Sequence, residues 1–355
     1  MDVVSLFSGC GGLDLGFQKA GFNIVFSNEY DKSIWDTYEL NHSTVNLDKR
    51  DIRNIKSSEI PNCIGIIGGP PCQSWSEAGS RRGIDDSRGQ LFYEYIRVVK
   101  DKKPLFFLAE NVSGILATRH KQAFINILEM FRESGYNIFY QLLNAVNFAV
   151  PQDRKRVIII GYRQDMKCDF IFPKGNNEIL TLKESIYDLS LLVCPAVKKI
   201  GQVNLVVPNH EYLDSGFSSI YMSRNRVRKW DESSFTIQAC GRHAPIHPQA
   251  NSMIFVEKDK RIFDPNSLSP YRRLSVRECA RIQTFPDNFL FKYQNVNDGY
   301  KMIGNAVPVN FAEAIARQIA LDIQNYFSIN IGSRLQKLEF FQNKDLKGFE
   351  NLSLV

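Results

Sequence analysis

Long apolar segments are missing from this sequence of 355 residues. A membrane-spanning helix needs roughly 18 consecutive apolar residues, whereas the longest apolar runs here, such as residues 104–109, suit a buried strand. The first residues, Met-Asp-Val-Val, show neither the basic segment nor the apolar core of a secretory signal. We therefore expect a cytoplasmic protein that has no membrane partner.

Cysteine is also scarce. The seven cysteines are an odd number and lie scattered along the chain, which favours free thiols in a reducing compartment over a disulfide framework. The spacing Cys240-x-x-His243-x-x-x-His247 resembles a zinc motif only superficially, because no second pair of ligands lies nearby. We expect no metal site.

A large excess of one charge is absent as well. The 44 Lys and Arg residues exceed the 38 Asp and Glu residues by 6, a balance that permits a polyanionic partner without requiring one. The composition, 44% hydrophobic and 23% charged, is that of an ordinary globular protein with one large domain or two smaller ones.

Strand-like and helix-like segments alternate up to about residue 172. This alternation predicts an α/β fold with a mostly parallel sheet and helices on both faces. The predicted strands lie near residues 3–7, 24–26, 63–67, 104–109, 136–143 and 157–160. Asp31 is the expected N-cap of a helix that reaches about Asn41, and residues 121–133 are predicted to form another helix.

The alternation fades after about residue 173, and the chain stays irregular to about residue 293. Ser275 and Glu278 form a capping box at the start of one helix in this region. An amphipathic helix is predicted for residues 310–326, and the remaining residues have the weak pattern of a loosely packed tail.

A glycine-rich turn, Phe-Ser-Gly-Cys-Gly-Gly at residues 7–12, connects the first strand to a helix. Glycines in such a turn let the backbone approach a nucleotide cofactor. Asp14 stands where the dinucleotide fingerprint has its third glycine, so an ordinary strand–helix turn remains an equal alternative. Glu29 follows the second strand, where a carboxylate can accept ribose hydroxyls, and Asp51 is a candidate partner for an adenine amino group.

Cys72 differs from the other cysteines because two prolines precede it at the carboxyl end of a predicted strand. Open α/β sheets bind their ligands at such ends, which makes Cys72 the candidate nucleophile. A thiolate forms more readily in an electropositive site, and Arg154 and Arg156 could provide that field. The alternative for both arginines is a solvated basic run before a strand.

Glu110 follows another apolar strand and begins the sequence Glu-Asn-Val. An acid at this position is usually either exposed or functional, because a buried carboxylate without a partner is costly. A carboxylic acid kept protonated there could donate to a ring nitrogen and make the ring a better electrophile. Cys72 and Glu110 are therefore expected to face one cleft.

Six motifs in this order resemble those of cytosine-C5 DNA methyltransferases. They are Phe-x-Gly-x-Gly-Gly at residues 7–12, Pro-Pro-Cys-Gln at 70–73, Glu-Asn-Val at 110–112, Gln-x-Arg-x-Arg at 152–156, the segment 272–281 and the segment 299–308. The resemblance runs from about residue 2 to residue 326. Residues 72–76, 82–86, 222–228 and 247–250 are similar to segments of family members that recognise GGCC.

The resemblance implies a large Rossmann-like domain that uses S-adenosylmethionine and releases S-adenosylhomocysteine. It assigns residues 1–172 and 298–328 to this catalytic domain, residues 173–297 to an irregular target-recognition domain, and no role to 329–355. The cofactor residues that it implies are Phe7, Ser8, Gly9, Gly11, Gly12, Leu13, Glu29, Tyr30, Asp51, Ile52, Pro71, Leu91, Asn305 and Val307.

The implied reaction is methylation of cytosine C5 in double-stranded DNA by the modification enzyme of a bacterial restriction–modification system. Cys72 would add to C6 of a flipped-out cytosine, Glu110 would engage N3, and Arg156 and less certainly Arg154 would hold the base. We expect a monomer that is paired with its cognate endonuclease only functionally.

The predicted DNA contacts are Ser76, Arg224, Arg226, Arg228 and Arg242. Arginine bound to guanine through two hydrogen bonds is the commonest specific base contact, and a GGCC site would offer several guanines. Contacts with phosphates alone remain an equal alternative for these arginines.

Three other functions are compatible with parts of the sequence. A nicotinamide dehydrogenase would use the glycine turn but not Pro-Pro-Cys or Glu-Asn-Val, and an inactive DNA-binding relative would lack Cys72. A tRNA-methylating member of the same family would carry Cys-Phe-Thr in the target region, where this chain has Ser-Phe-Thr at 234–236.

Overall fold

The computed structural model describes residues 1–71, 89–176, 178–196, 200–201 and 205–350, with side chains up to residue 329. Within these ranges the chain forms a seven-stranded sheet covered by helices, followed by a region of short elements and a long last helix. The α/β fold expected from the sequence is confirmed. No helix in these ranges is both long and apolar enough to cross a membrane.

The large sheet contains β1 (Asp2–Leu6), β2 (Asn23–Asn28), β3 (Asn46–Asp48), β4 (Gly65–Gly68), β5 (Phe106–Val112), β6 (Tyr136–Asn144) and β7 (Lys155–Arg163). Its helices are α1 (Gly12–Lys19), α2 (Trp35–Asn41), α3 (Gly89–Lys102) and α4 (Lys121–Glu133). The later elements are α5 (Leu182–Ile186), β8 (Cys194–Pro195), β9 (Glu211–Tyr212), β10 (Ile254–Glu257), β11 (Lys260–Ile262), α6 (Val276–Ile282), α7 (Val296–Asn305) and α8 (Val309–Glu350).

The strand order of the sheet is β3-β2-β1-β4-β5-β7-β6. β1 to β5 pair in parallel, whereas β7 runs antiparallel to both of its neighbours. The link between β6 and β7 is residues 145–154, which is shorter than the crossover that two parallel strands require. The sheet is therefore mostly parallel, as predicted, with one inserted antiparallel strand.

Apolar side chains alternate between the two faces of the central strands, so each face has its own core. Val3, Ile67 and Leu108 pack with α1 and α8, while Val4, Ile66 and others pack with α3 and α4. A strand buried on both faces carries a continuous apolar run, which explains the unbroken pattern in β5 and β7. The carboxyl ends of the parallel strands remain uncovered by either core.

A third core joins the two regions that the sequence analysis assigned to separate domains. It combines Cys10 and Ile34 from the first region with buried residues of α5, α6 and α7. At the start of α6, the carboxylate of Glu278 completes the predicted capping box by accepting from the backbone N–H of Ser275 at 2.7 Å. The boundary at residue 173 stays a prediction.

Three local predictions differ from the structure. Helix α2 begins at Trp35 rather than after Asp31, because the Asp31 carboxylate accepts from Ser33 in a turn and pairs with Lys301. Strand β5 continues through Glu110 to Val112, since β7 supplies hydrogen-bonding partners for the extra residues. Helix α8 extends to Glu350, beyond its predicted end near residue 326 and through part of the predicted tail.

Candidate active site

A cavity of about 360 Å³ opens at the carboxyl ends of β1, β2, β4 and β5. This is the edge at which open α/β sheets bind ligands. The cavity is lined by Phe7, Ser8, Gly9, Leu13, Glu29, Asp31, Ile34, Gly69, Pro70, Pro71, Glu110, Asn111, Val112, Met302, Asn305, Ala306 and Val307. The strand ends of the first region and the end of α7 thus share one site.

Eight of the predicted cofactor residues line this cavity, namely Phe7, Ser8, Gly9, Leu13, Glu29, Pro71, Asn305 and Val307. The sequence analysis did not assign Asp31, Ile34, Gly69, Pro70, Asn111, Met302 or Ala306. The motifs already contained three of these residues. Asn111 follows Glu110 in Glu-Asn-Val, and Met302 and Ala306 lie in the segment 299–308.

The glycine turn adopts a left-handed backbone at three positions. Phe7 has a φ of 54°, Gly9 of 55° and Gly11 of 89°. A non-glycine residue in this conformation costs free energy, so its place at the mouth of a cavity is a sign of function. A Cβ atom on Gly9 would meet no atom within 4 Å, which leaves its backbone open to a ligand.

Gly11 and Gly12 have a packing role instead. A Cβ atom on Gly11 would lie 2.1 Å from Nε2 of His42, and one on Gly12 would lie 2.4 Å from the carbonyl oxygen of Val307. Gly11 is also the left-handed N-cap of α1. These two glycines therefore set the close approach of the turn to its neighbours, and of the three glycines in the turn only Gly9 lines the cavity.

Glu29 is held by two backbone donors. The N–H of Gly9 donates to Oε2 at 2.9 Å, and the N–H of Asp31 donates to Oε1 at 2.7 Å. Burial raises the pKa of Glu29 despite these hydrogen bonds. A carboxylate has about four acceptor positions, so Glu29 can still accept hydroxyl donors from the cavity.

Glu110 and Arg156 form an ion pair at the edge of the cavity. Oε1 of Glu110 lies 2.7 Å from Nε of Arg156, and both side chains are about nine-tenths buried, with 11% and 12% exposure. The antiparallel register sets this contact, because Glu110 lies opposite Ile158 and Arg156 is two residues along the same face of β7. Glu110, the acid of this pair, lines the same cavity as Pro71, the last described residue before Cys72.

Asn111 fixes the backbone that leads to Cys72. Its Nδ2 donates to the carbonyl oxygen of Pro70 at 2.9 Å, and its Oδ1 accepts from the N–H of Val112. Both contacts keep the Pro70–Pro71 segment against the end of β5. Asn111 therefore positions the chain in front of the predicted nucleophile.

The sequence matches the C-5 cytosine-specific DNA methylase family over residues 1–321. The chain belongs to this family. It is 59% identical over 326 residues to the Type II methyltransferase M.MthTI of Methanothermobacter thermautotrophicus, which covers 91% of this chain and 98% of the relative. It is 55% identical over 324 residues to M.NgoPII of Neisseria gonorrhoeae, covering 90% and 95% of the two chains.

Solved structures share the fold. A DNA modification methyltransferase encoded within an E. coli prophage superposes with a TM-score of 0.69 at 24% identity, covering 91% of this chain and 99% of that one. The Dnmt2 methyltransferase of S. pombe superposes with a TM-score of 0.62 at 18% identity, covering 92% and 98%. The family match and the relatives M.MthTI and M.NgoPII identify the protein as a DNA (cytosine-5-)-methyltransferase, and its family implies use of S-adenosylmethionine.

The residues of the cavity fit this cofactor. The hydroxyl of Ser8 is buried without a hydrogen-bond partner among the described residues, Gly9 is open, and Glu29 has free acceptor positions. Ser8 and Glu29 would therefore gain partners from a polar ligand, while Leu13 and Val307 offer apolar walls.

Four other predicted cofactor residues, besides the two packing glycines, do not line the methylase cavity. The carboxylate of Asp51 pairs with Arg53 at 2.5 Å, Ile52 is buried in the core, Tyr30 is 68% exposed, and Leu91 packs partly buried beside the same core. The hydrogen bond from Arg53 lowers the pKa of Asp51. Roles for these residues at the adenine stay predictions.

Arg154 differs from its prediction as a contact to the target base. It is 1% exposed, and its two terminal nitrogens donate to the carbonyl oxygens of Ile237, Gly304 and Ala306 at 3.0, 2.8 and 3.0 Å. Burial lowers its pKa, and the nearby charge of Arg156 adds to this effect. Arg156 remains the cation beside Glu110, whereas Arg154 connects three backbone segments.

Cys72 and Ser76 lie outside the described residues, so their roles stay predictions. The described cysteines include Cys10 and Cys63, whose pKa values burial raises to about 12 and about 11. These thiols are protonated at neutral pH and behave as small apolar side chains. They leave the role of a thiolate nucleophile to another residue.

The four predicted recognition arginines in the described region fall into two groups. Arg226 stacks on Tyr221 at 4.7 Å and donates to its carbonyl oxygen, and Arg228 stacks on Phe235 at 4.1 Å and pairs with Glu232. Arg224 and Arg242 are exposed. The second group is the more exposed of the two, since Arg226 and Arg228 are half-buried.

A pocket of about 230 Å³ lies beside Arg224. It is lined by Arg224, Asn225, Arg226, Phe235, Thr236, Gln238, His243 and Pro245. Gln238 and His243 are exposed, and the sequence analysis predicted no DNA contact for either, since Gln238 lies in no motif and His243 occurs only in the superficial Cys-His spacing. We call residues 234–245 the recognition segment.

His42 gives the methylase a testable dependence of stability on pH. It is 2% exposed under Gly11, and burial lowers its pKa to about 4. The unfolded chain binds a proton near pH 6.5 and the folded chain does not, so stability falls as the pH drops below 6.5. The free energy of unfolding, measured with urea, should therefore fall between pH 7 and pH 5. Replacement of His42 by Gln should make this fall smaller by about 2 kcal/mol.

Burial raises the pKa of Asp14 to about 6, so Asp14 stabilises the fold as the pH falls, opposite to His42. The effect of His42 is therefore read from the difference in pH dependence between the variant and the unmodified protein. His243→Gln is the control, because His243 is exposed. It should keep the pH dependence of the unmodified protein. An unchanged slope in His42→Gln would contradict the assignment.

Proposed function

We propose that this protein methylates C5 of a flipped-out cytosine in double-stranded DNA within GGCC, as a monomeric modification enzyme of a restriction–modification system. The observation that carries the proposal is the Glu110–Arg156 pair at the cofactor cavity, next to the Pro70–Pro71 segment that leads to Cys72. Its relatives M.MthTI and M.NgoPII are named Type II methyltransferases. Residues 222–228 and 247–250 resemble segments of the GGCC-specific HaeIII methyltransferase, which supports GGCC as the recognition site.

Cys72 and Glu110 would share the activation of the base. Glu110, once it has taken up a proton from water, would pass this proton to N3 while the thiolate of Cys72 forms a bond to C6, which converts the ring into an enamine with a nucleophilic C5. The cofactor supplies an electrophilic methyl group to C5. A water molecule would then take the proton from C5, which expels the thiolate, and N3 would return its proton to Glu110, so that the aromatic ring is restored.

Arg156 would orient both partners of this step. Its Nε donates to Glu110 and fixes the carboxyl at the edge of the cavity. Its remaining donors can bind the carbonyl oxygen of the base, because a guanidinium carries five N–H groups in a rigid plane. The Glu110 proton is thereby held near a base that must leave the duplex to reach the site.

Glu29 and Ser8 would orient the cofactor. Glu29 accepts the ribose hydroxyls with the positions that Gly9 and Asp31 leave free. Asn305 and Val307 close the opposite wall. These residues all belong to residues 1–172 and 298–328, which we propose as the catalytic domain.

Arg224 and Arg242 would contact the DNA from the proposed target-recognition domain, residues 173–297. Both are exposed, whereas Arg226 and Arg228 are held by Tyr221 and Phe235. We therefore propose that Arg226 and Arg228 shape the surface, while Arg224 and Arg242 bind bases or phosphates.

Transfer of a labelled methyl group tests the function. The purified chain is incubated with labelled S-adenosylmethionine and duplexes that contain GGCC, GCGC or CCGG, or with tRNA transcripts. We expect label only in the GGCC duplex, in cytosine C5. Equal labelling of all three duplexes would refute the specificity, and labelling of tRNA alone would refute the DNA substrate.

A further inference from the structure

Arg154 lies where three parts of the methylase meet. Its guanidinium donates to Ile237 in the recognition segment and to Gly304 and Ala306 at the end of α7. Ala306 and its neighbour Asn305 line the cofactor cavity. One side chain therefore spans from the wall of that cavity to the segment that carries Gln238 and His243.

The recognition segment is also tied to the chain just before β7. The N–H of Ser234 donates to the carbonyl oxygen of Pro151 at 2.8 Å, and the N–H of Asp153 donates to that of Ser234 at 2.9 Å. The N–H of Ile237 donates to the side chain of Gln152 at 2.7 Å. This ladder ends at Asp153, three residues before Arg156, the proposed partner of the base.

Gln283 extends the same connection to α7. Its Oε1 accepts from Nε2 of Gln152 at 2.9 Å, and its own Nε2 donates to the carbonyl oxygen of Ile303 at 2.8 Å. Gln152, Arg154 and Gln283 are all almost fully buried. Apart from Nε of Arg154, the side-chain donors of this network have partners among the described residues. Such a network is rigid, because leaving a further buried polar group without a partner is costly.

No space separates the two ends of this network. A Cβ atom on Gly304 would lie 2.3 Å from the backbone nitrogen of Ala239 and from the carbonyl carbon of Gln238. The recognition segment thus rests directly on the backbone of α7. A shift of the cavity wall that accompanies binding of the cofactor would move the recognition segment with it.

We propose that Arg154 is a positioning residue that couples binding of the cofactor to binding of DNA by the recognition segment. The proposal rests on the proposed function, because it takes the cavity as the cofactor site and the segment as a DNA contact. Arg154 touches neither ligand directly. It fixes the distance between their sites, and binding of one ligand orders the site of the other.

Thermodynamic linkage requires this coupling to be reciprocal. S-adenosylhomocysteine should tighten the binding of a GGCC duplex about tenfold, and the duplex should tighten the binding of S-adenosylhomocysteine by the same factor. Lysine in place of Arg154 keeps the charge but offers a point donor instead of a planar fork, so it cannot bridge all three carbonyl oxygens.

The test uses the full chain and measures the coupling in both directions. Fluorescence anisotropy gives the Kd of the duplex with and without S-adenosylhomocysteine, and calorimetry gives the Kd of S-adenosylhomocysteine with and without the duplex. Arg154→Lys should reduce the coupling from about tenfold to less than about twofold. A second variant, Gln152→Met, should reduce it in the same direction if Arg154→Lys does not fold.

Arg277→Lys is the matched control. Arg277 is equally buried and also donates to backbone carbonyl oxygens, those of Pro208, Pro286 and Phe289, but none of these lines the cofactor cavity. This variant should keep the tenfold coupling even if it is less stable. Full coupling in both Arg154→Lys and Gln152→Met, or none in the unmodified protein, overturns the inference. Failure of the unmodified protein to methylate a duplex would instead refute the proposed function.

Discussion

Replacing Cys72 with Ser is expected to lower the rate of methyl transfer to a GGCC duplex by at least about 10⁴-fold. A serine hydroxyl remains protonated at neutral pH, whereas a thiol near cations can ionise, and only the anion adds to C6. Binding of S-adenosylmethionine should change little, because the cavity keeps Glu29, Gly9 and Asn305. Single-turnover incorporation of labelled methyl groups measures the rate.

Cys168→Ser is the control for this substitution. Cys168 is half-buried, at the end of the first region and outside the cavity, so its replacement should leave the rate within about twofold, as for most substitutions away from a site. A Cys72→Ser protein that methylates at an undiminished rate would exclude Cys72 as the nucleophile. Equal losses in both variants would point to damage of the fold.

Replacing Glu110 with Gln is expected to lower kcat by about 10²- to 10⁴-fold, the range that proton transfer by a positioned acid contributes. Glutamine fills the same space and can donate a hydrogen bond to N3, but it cannot transfer a proton. The loss should therefore appear in kcat, with the KM for DNA nearly unchanged. Steady-state kinetics on the GGCC duplex separates the two constants.

Glu313→Gln is the control for Glu110→Gln, because Glu313 is also shielded, with 14% exposure, and pairs with Arg317 and Lys19 on α8 and α1. Its kcat should match that of the unmodified protein. Removal of the Glu110 charge leaves Arg156 partly buried without its anion, so stability must be measured in parallel. A Glu110→Gln variant with full kcat would show that the pair has a structural role only.

The sequence predicted those parts of the site that depend on local chain geometry. The turn at Phe7–Gly9 and Glu29 each follow a strand, Glu110 lies near the end of β5, and parallel strands bring such positions to one edge. The alternation of apolar residues likewise predicted the strands near their observed positions. These features need only the period of a strand and the chemistry of a turn.

The role of Arg154 depended on contacts that are distant in sequence. Arg154 lies two residues from Arg156. The guanidinium of Arg156 pairs with Glu110, whereas that of Arg154 donates to backbone carbonyl oxygens of Ile237, Gly304 and Ala306. No local pattern distinguishes these environments. The same holds for Arg226, which differs from Arg224 because Tyr221 stacks beneath it.

The apolar pattern within β7 could not predict the direction of this strand either, since a buried strand is apolar on both faces whether it is parallel or antiparallel. Its connection of ten residues, 145–154, held the missing information, because a parallel partner requires a longer crossover. This direction matters for function. It sets the register that brings Arg156 diagonally across from Glu110.

A covalent bond between Cys72 and the target base is the central claim, and trapping with 5-fluorocytosine tests it most directly. Fluorine at C5 cannot leave as a proton does, so after methyl transfer the enzyme should stay attached to a GGCC duplex that carries this base. We expect a stable protein–DNA adduct only with S-adenosylmethionine present, and peptide mass spectrometry should locate it on Cys72. An adduct on another residue, or turnover of the duplex without any adduct, would contradict the account.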